Sequence, residues 1–256
     1  MAPPRFFDTH CHLDWFIDQG TLDTVIDASR RAGVDLWVVP GVTPAAWGRI
    51  AWVTDRVEGA YPAFGVHPLH ACDWNDRWKD VLHDLSQHGV AVGEIGLDYT
   101  PGAPERERQR KLFRDQLEIA RERGKPVIIH CRKAFADTLS EIDAMGKGRL
   151  RGVVHAFSGS LESAREFIRR GFLIGVAGSI TFGGARKLPQ VVVSLGLSHL
   201  LLETDAPDLA PEPKRGETNR PENLPLIAQT VARIVGQPLE RVAEVTTHAA
   251  RTLFLS

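Results

Sequence analysis

Apolar positions recur along this chain with two periods, about two residues and about 3.6, and the switches between them mark out strands and helices. The first segment, 6–14, reads as a strand ending in two histidines, and a helix over 18–32 follows, closed by Gly33. Residues 34–42 form a continuous apolar run of the kind that parallel sheets cover on both faces. Thr43-Pro44 then opens a helix that lasts to residue 58. The alternation continues with strands at 61–68, 90–99, 126–132, 151–157, 172–180 and 200–205. Between them lie helices at 74–87, 104–123 and 134–145, one capped by Ser160, and one at 185–195. A proline-punctuated loop, 206–220, precedes two terminal helices at 221–235 and 238–253. Eight strands alternating with helices in 256 residues predict an α/β chain folded as a single-domain (β/α)8 TIM barrel over 1–256. An open doubly wound sheet is the alternative.

Composition changes this picture little. A net charge of -1 gives no global positive field, so a grip on DNA would need local groups or bound cations. Cys11, Cys72 and Cys131 form no CxxC pair, which argues against a disulfide framework and for a reducing cytosol. Cys11 and Cys131 each adjoin a histidine but face the other side of their strands, toward packing helices. Residues 1–5 lack a signal-peptide core, and no run has the length of a membrane span. The expected setting is cytoplasmic, with no membrane and no obligate protein partner.

The candidate chemistry collects at strand ends. Alternation puts Asp8, His10 and His12 on one face, and His67, Glu94, His130, His155 and Asp205 end later strands. A closed parallel barrel brings all those ends to one mouth, whereas an open sheet would spread them apart. His10, His12 and Asp205 can hold one cation, and His130 with His155 a second. Glu94 lies between the two groups and has two oxygens, so it can bridge. Two divalent ions about 3.5–4 Å apart form a water-activating hydrolytic centre. Mixed imidazole and carboxylate donors suit zinc, manganese, magnesium or a similar ion, with more nitrogens than magnesium alone prefers.

Seven motifs then stand in order along the whole chain. They are Asp-Thr-His-Cys-His-Leu-Asp (8–14), Gly-Val-His-Pro (65–68), Gly-Glu-Ile-Gly-Leu-Asp-Tyr (93–99), Val-Ile-Ile-His-Cys-Arg (127–132), His-Ala-Phe-Ser-Gly (155–159), Glu-Thr-Asp-Ala-Pro (203–207) and Asn-Arg-Pro-Glu-Asn (219–223). In these the chain resembles the TatD family of metal-dependent deoxyribonucleases, among the amidohydrolase-like barrels. The resemblance implies a divalent-metal hydrolase, with some members acting as 3′–5′ DNA exonucleases, so DNA or a nucleotide is the implied substrate. By position, His10, His12, Glu94, His130, His155 and Asp205 match the family's metal ligands. One departure is His248, where relatives commonly have Asn; it reads as a helix-packing position.

Roles follow from chemistry and position. Asp205 is the expected base, taking a proton from a metal-activated water. Glu203 shares its parity one layer lower and is expected to orient a ligand, as is Asp8 beneath His10. His67 could bind a substrate phosphate or leaving group. Arg132 could bind an anion bidentately or pair with Asp98, which also points inward, and Arg220 is a further candidate for the anion. The basic run at 105–114 reads as a solvated helix face, and Trp15 and Trp74 as packing or base-stacking groups. Phosphodiester hydrolysis on DNA is the leading reading; the alternative is hydrolysis of a small-molecule amide, ester or lactone. A non-catalytic barrel docking a partner through 206–220 would have lost a ligand, and none is lost.

Overall fold

The computed structural model describes residues 4–256; of the opening segment read as leaderless, 1–3 lie outside the described residues. Its strands are β1 (Phe6–Asp8), β2 (Val34–Pro40), β3 (Ala60–Phe64), β4 (Ala91–Asp98), β5 (Val127–Arg132), β6 (Gly152–Val154), β7 (Phe172–Val176) and β8 (Leu200–Leu202). All pair in parallel, each with its neighbour in sequence, in one eight-stranded sheet. The ring closes where β8 returns beside β1: Thr9 N–H donates to Leu202 O, Asp205 N–H to His10 O and His12 N–H to Ala206 O. The helices are α1 (Trp15–Asp18), α2 (Leu22–Arg31), α3 (Trp47–Arg56), α4 (Asp76–Leu85), α5 (Arg106–Arg123), α6 (Phe135–Gly146), α7 (Leu161–Arg169), α8 (Lys187–Leu195), α9 (Leu224–Val235) and α10 (Leu239–Phe254). This is the (β/α)8 barrel that the alternating pattern predicts.

Two buried apolar clusters set the barrel's polarity. The larger lies between strands and helices and includes Trp37, Phe113, Leu117 and Phe167. The smaller takes Phe7, Val38, Ala63, Ala91, Ile128, Val153 and Leu201 from seven strands and adds Ala250, Leu253 and Phe254 of α10. One residue per strand meeting the end of α10 fills the N-terminal half of the barrel with hydrocarbon. Within the barrel the candidate polar side chains stand at the opposite mouth.

Several elements differ from expectation for physical reasons. The strands expected at 6–14, 151–157 and 200–205 keep only three ladder residues each. Beyond that point their backbone bonds go to neighbouring loops and side chains, as when Thr204 N–H turns to Asp8 Oδ1. The helix expected over 18–32 is divided at Gly20, whose φ of +64° no helix interior accepts. Ser160 caps α7 as expected, its hydroxyl accepting from Ser163 N–H. His248 is exposed on α10 and packs no helix, a correction to its reading as a packing position. Among the described residues no helix is long and apolar enough to cross a membrane.

Candidate metal centre

The mouth is assembled from segments that leave the ladder just before their functional side chain. β4 makes this plainest. Its register with β5 shifts between Val92 and Ile95, so Glu94 sits in the irregularity. There Gly41 N–H donates to Gly93 O and Glu94 N–H to Gly41 O, tying the end of β2 to β4 past the short β3. The approach needs glycine: a Cβ on Gly65 would lie 2.6 Å from the Gly93 backbone. Such a bulge re-aims one side chain, here the Glu94 carboxylate, into the centre of the mouth.

Imidazoles surround that carboxylate on both sides. Glu94 Oε2 is 3.2 Å from His10 Nε2. Glu94 Oε1 is 2.9 Å from His130 Nδ1, 2.9 Å from His155 Nε2 and 3.5 Å from His67 Nε2. On the β1–β8 side, Asp205 Oδ1 lies 3.5 Å from His10 Nε2 and 3.8 Å from His12 Nε2. Asp205 reaches this position in the left-handed conformation, at φ +59°. For residues other than glycine that conformation costs about 1–2 kcal/mol, so surrounding bonds must hold it.

Carboxylates behind the rings fix their orientation. Asp98 Oδ2 is 2.9 Å from His130 Nε2, leaving Nδ1 toward Glu94. Asp98 Oδ1 meanwhile accepts from the N–H and hydroxyl of Thr100. Glu203 Oε1 accepts from Ala156 N–H and stands 3.6 Å from His155 Nδ1, which leaves Nε2 toward Glu94. The buried Glu203 carboxylate has its space because residue 175 is glycine; a Cβ there would meet its oxygens at 2.7 and 2.8 Å. Histidines that ligate metals commonly donate their other N–H to a carboxylate, as His130 does to Asp98.

Electrostatics divides the histidines. Burial drives His10 down to about 4 and His67 to about 3 despite the pull of Glu94. For His155 burial also acts downward, but Glu94 and Glu203 outweigh it and hold the ring well above its ordinary range. His130 is raised likewise, Asp98 and Glu94 overcoming burial. Burial pushes Glu94 up, yet His155, His67 and His10 keep its carboxyl well below the usual carboxylate range. Asp205 is raised, burial prevailing over His155, His10 and His12.

The donor set fits divalent cations. Both ring nitrogens of the fully buried His10, and Glu203 Oε2, lack any hydrogen-bond partner among the described residues. Bare buried polar atoms gathered at one place leave lone pairs that a cation or an ordered water can take. His10, His12 and Asp205 offer atoms all within 4.8 Å of one another, as do His10, His155 and Glu203, and also His67, Glu94 and His130. Hydrogen bonding separates His67 from the other rings. Its Nδ1 accepts from Leu69 N–H, which assigns its proton to Nε2, the atom that faces Glu94. His67 therefore presents a donor to the mouth, where a metal ligand would present a lone pair.

The structure thus brings together His10, His12, His67, Glu94, Asp98, His130, His155, Glu203 and Asp205. It corrects the place of Asp8, which lies beneath His10 but accepts from the His10 main-chain N–H and from Thr204 N–H and Oγ1, touching no imidazole. Asp98 pairs with His130, so it is not the counter-ion of Arg132. Arg132 and Arg220 are exposed and make no ion pair among the described residues. The arginines at 105–114 turn partly sideways: Arg110 and Arg114 bond Glu141 of α6. Trp74 donates to Asp115 Oδ2, a packing role. Sequence reasoning missed Thr204 and Asn219, both completely buried beside Asp205. The signal for both lay in motifs already noted, as small polar residues flanking the proposed base in sequence and loop.

A model of the family described as "TatD related DNase" matches residues 7–255. The uncharacterized metal-dependent hydrolase YabD of Bacillus subtilis is 34% identical, covering 97% of this chain and 98% of its own. YjjV of Escherichia coli, an uncharacterized metal-dependent hydrolase, is 34% identical over 98% of each chain. The crystal structure of the E. coli YjjV protein superposes with a TM-score of 0.92 over 98% of both chains. A TatD-family hydrolase from Entamoeba histolytica superposes at 0.87 over 99% of each chain at 20% identity, a likeness of fold.

Proposed function

The chain belongs to the TatD family of metal-dependent hydrolases, and from that premise we propose that it cleaves DNA phosphodiesters from the 3′ end, with Asp205 as base. The observation that carries the reading is the place of Glu94: one carboxylate faces His10 with one oxygen and His130 and His155 with the other. So placed, Glu94 would help to hold a cation with His10 on one side and a second with His130 and His155 on the other. Divalent ions in this donor set would acidify water and polarise a phosphoryl oxygen.

The protein's own groups supply the rest. Asp205 accepts the proton of the attacking water at Oδ1, and its raised affinity for protons suits it to that task. Asp98 holds His130 at Nε2 and so keeps its Nδ1 turned toward Glu94 and the centre of the mouth. His67 is neutral at physiological pH and presents its Nε2 proton to a phosphate oxygen or leaving group. Arg132, exposed at the end of β5, and Arg220, in the loop after β8, draw the DNA backbone toward the mouth. The family description supports DNA as the substrate.

The test uses chelator-treated protein reconstituted with manganese or magnesium and given single-stranded DNA labelled at either end. Release of nucleotides from the 3′ end is expected, and Asp205→Asn should lower it about 10²–10⁴-fold with the melting temperature preserved. No nucleotide release with any metal, alongside turnover of a lactone or cyclic amide, would reject the DNA reading.

A further inference from the structure

Asn219 has no part in the chemistry above, yet it is completely buried and its side-chain amide is fully engaged. Nδ2 donates to Thr204 O at 2.8 Å and to Asp208 O at 2.7 Å. Oδ1 accepts from Arg220 N–H at 2.9 Å and Asn223 Nδ2 at 3.0 Å. Two donors and two acceptor positions are all that an amide has. The two carbonyls it holds flank Asp205 in sequence, one just before it and one on the last residue of the turn it begins.

Between those carbonyls the backbone is bound at every step. Asp205 N–H donates to His10 O at 2.9 Å, and Asp208 N–H to Asp205 O at 2.8 Å. Thr204 is gripped from the other side by Asp8, through its N–H at 2.9 Å and its hydroxyl at 2.6 Å. Asp205 itself sits at φ +59°, a conformation that a free chain abandons. A turn strained in this way keeps its shape only while its ends are held. The Asp205 carboxylate that it aims stands 3.5 Å from one imidazole and 3.8 Å from the next, so a small relaxation would carry it out of reach.

We propose that Asn219 is a positioning residue: by clamping the carbonyls of Thr204 and Asp208 it fixes the left-handed turn that aims Asp205 at His10 and His12, and so sets that trio's affinity for its divalent cation. The inference rests on reading those three residues as cation ligands. Asn219 touches neither cation nor substrate. Its bond to Arg220 N–H also ties the start of that arginine to the same turn, so the loop after β8 and the cation site share one brace.

The experiment titrates manganese into the chelator-treated full chain and into Asn219→Asp, which keeps the acceptor atoms but loses the two donors. Calorimetry and the manganese electron-spin signal report binding, and melting temperature in chelator reports the fold. Asn219→Asp should need about 10–100-fold more manganese to fill one of its sites, with the spin signal of that site altered. Hydrolysis at saturating manganese should recover most of its kcat. Manganese affinity and spin signal equal to the unsubstituted chain, with only the melting temperature lowered, would make Asn219 a structural residue and overturn the proposal. If Asn219→Asp does not fold, Asn219→Ser, which leaves room for a water at the two carbonyls, is read by the same criteria. An unsubstituted chain that takes up no manganese would overturn the ligand reading and this inference together.

Discussion

Burial and charge pull the histidines of the mouth in opposite directions, and the consequence is a pH dependence with a definite sign. His130 and His155 are raised above the ordinary histidine value of 6.5, so without a cation the folded chain keeps protons that the unfolded chain releases above that pH. Asp8, driven up to about 8 by burial against its Thr204 donors, acts in the same sense. Protons held in excess by the folded state mean that stability falls as pH rises. His10 and His67 act the other way, but their opposition fades as the unfolded rings lose their protons above 6.5. The melting temperature of chelator-treated protein should therefore drop between pH 6.5 and pH 8. Each group contributes a slope of up to about 1.4 kcal/mol per pH unit. A melting temperature that is flat or rising over that interval would contradict these assignments.

Between elements, a buried charged contact away from the mouth joins α5 to α6. Glu141 is buried on α6 and takes Arg110 Nε at 2.6 Å and Arg114 Nε at 2.7 Å. Burial raises its carboxyl, but the two guanidiniums outweigh this and hold it below the ordinary range. Its stabilising contribution is therefore present above the ordinary value of 4.5 and is lost as pH falls through the lowered one. Glu141→Gln should cost about 1–3 kcal/mol at neutral pH in urea unfolding, with the deficit shrinking in acid. An equal deficit at both pH values would show that shape, and not charge, holds the two helices together. The alternating pattern fixed α5 and α6 to within a few residues because both have a continuous apolar stripe. It overran β1, β6 and β8 because residues such as His10, Thr204 and Asp205 continue the alternation while their backbone has already left the ladder.

In the whole molecule, an apolar plug from seven strands and α10 fills one end of the barrel and the candidate residues occupy the other. The order of strands and the convergence of His10, His12, Glu94, His130, His155 and Asp205 were legible in the sequence, because a parallel barrel leaves strand ends only one place to meet. What Asp8 and Asn219 do was not legible, since both act on main-chain groups of segments almost two hundred or about fifteen residues away. Side-chain parity says nothing about such bonds. The bulge that aims Glu94 was hidden for a similar reason: it depends on Gly41 and Gly65, just past β2 and β3, approaching Gly93 of β4.

The proposed function stands on this mouth holding a pair of cations with Glu94 between them. Anomalous diffraction from crystals grown with manganese, measured near the manganese edge, tests it directly. Two peaks per chain are expected, one beside His10, His12 and Asp205 and one beside His130 and His155, with a Glu94 oxygen toward each. A single peak, or peaks away from the Glu94 carboxylate, would contradict it.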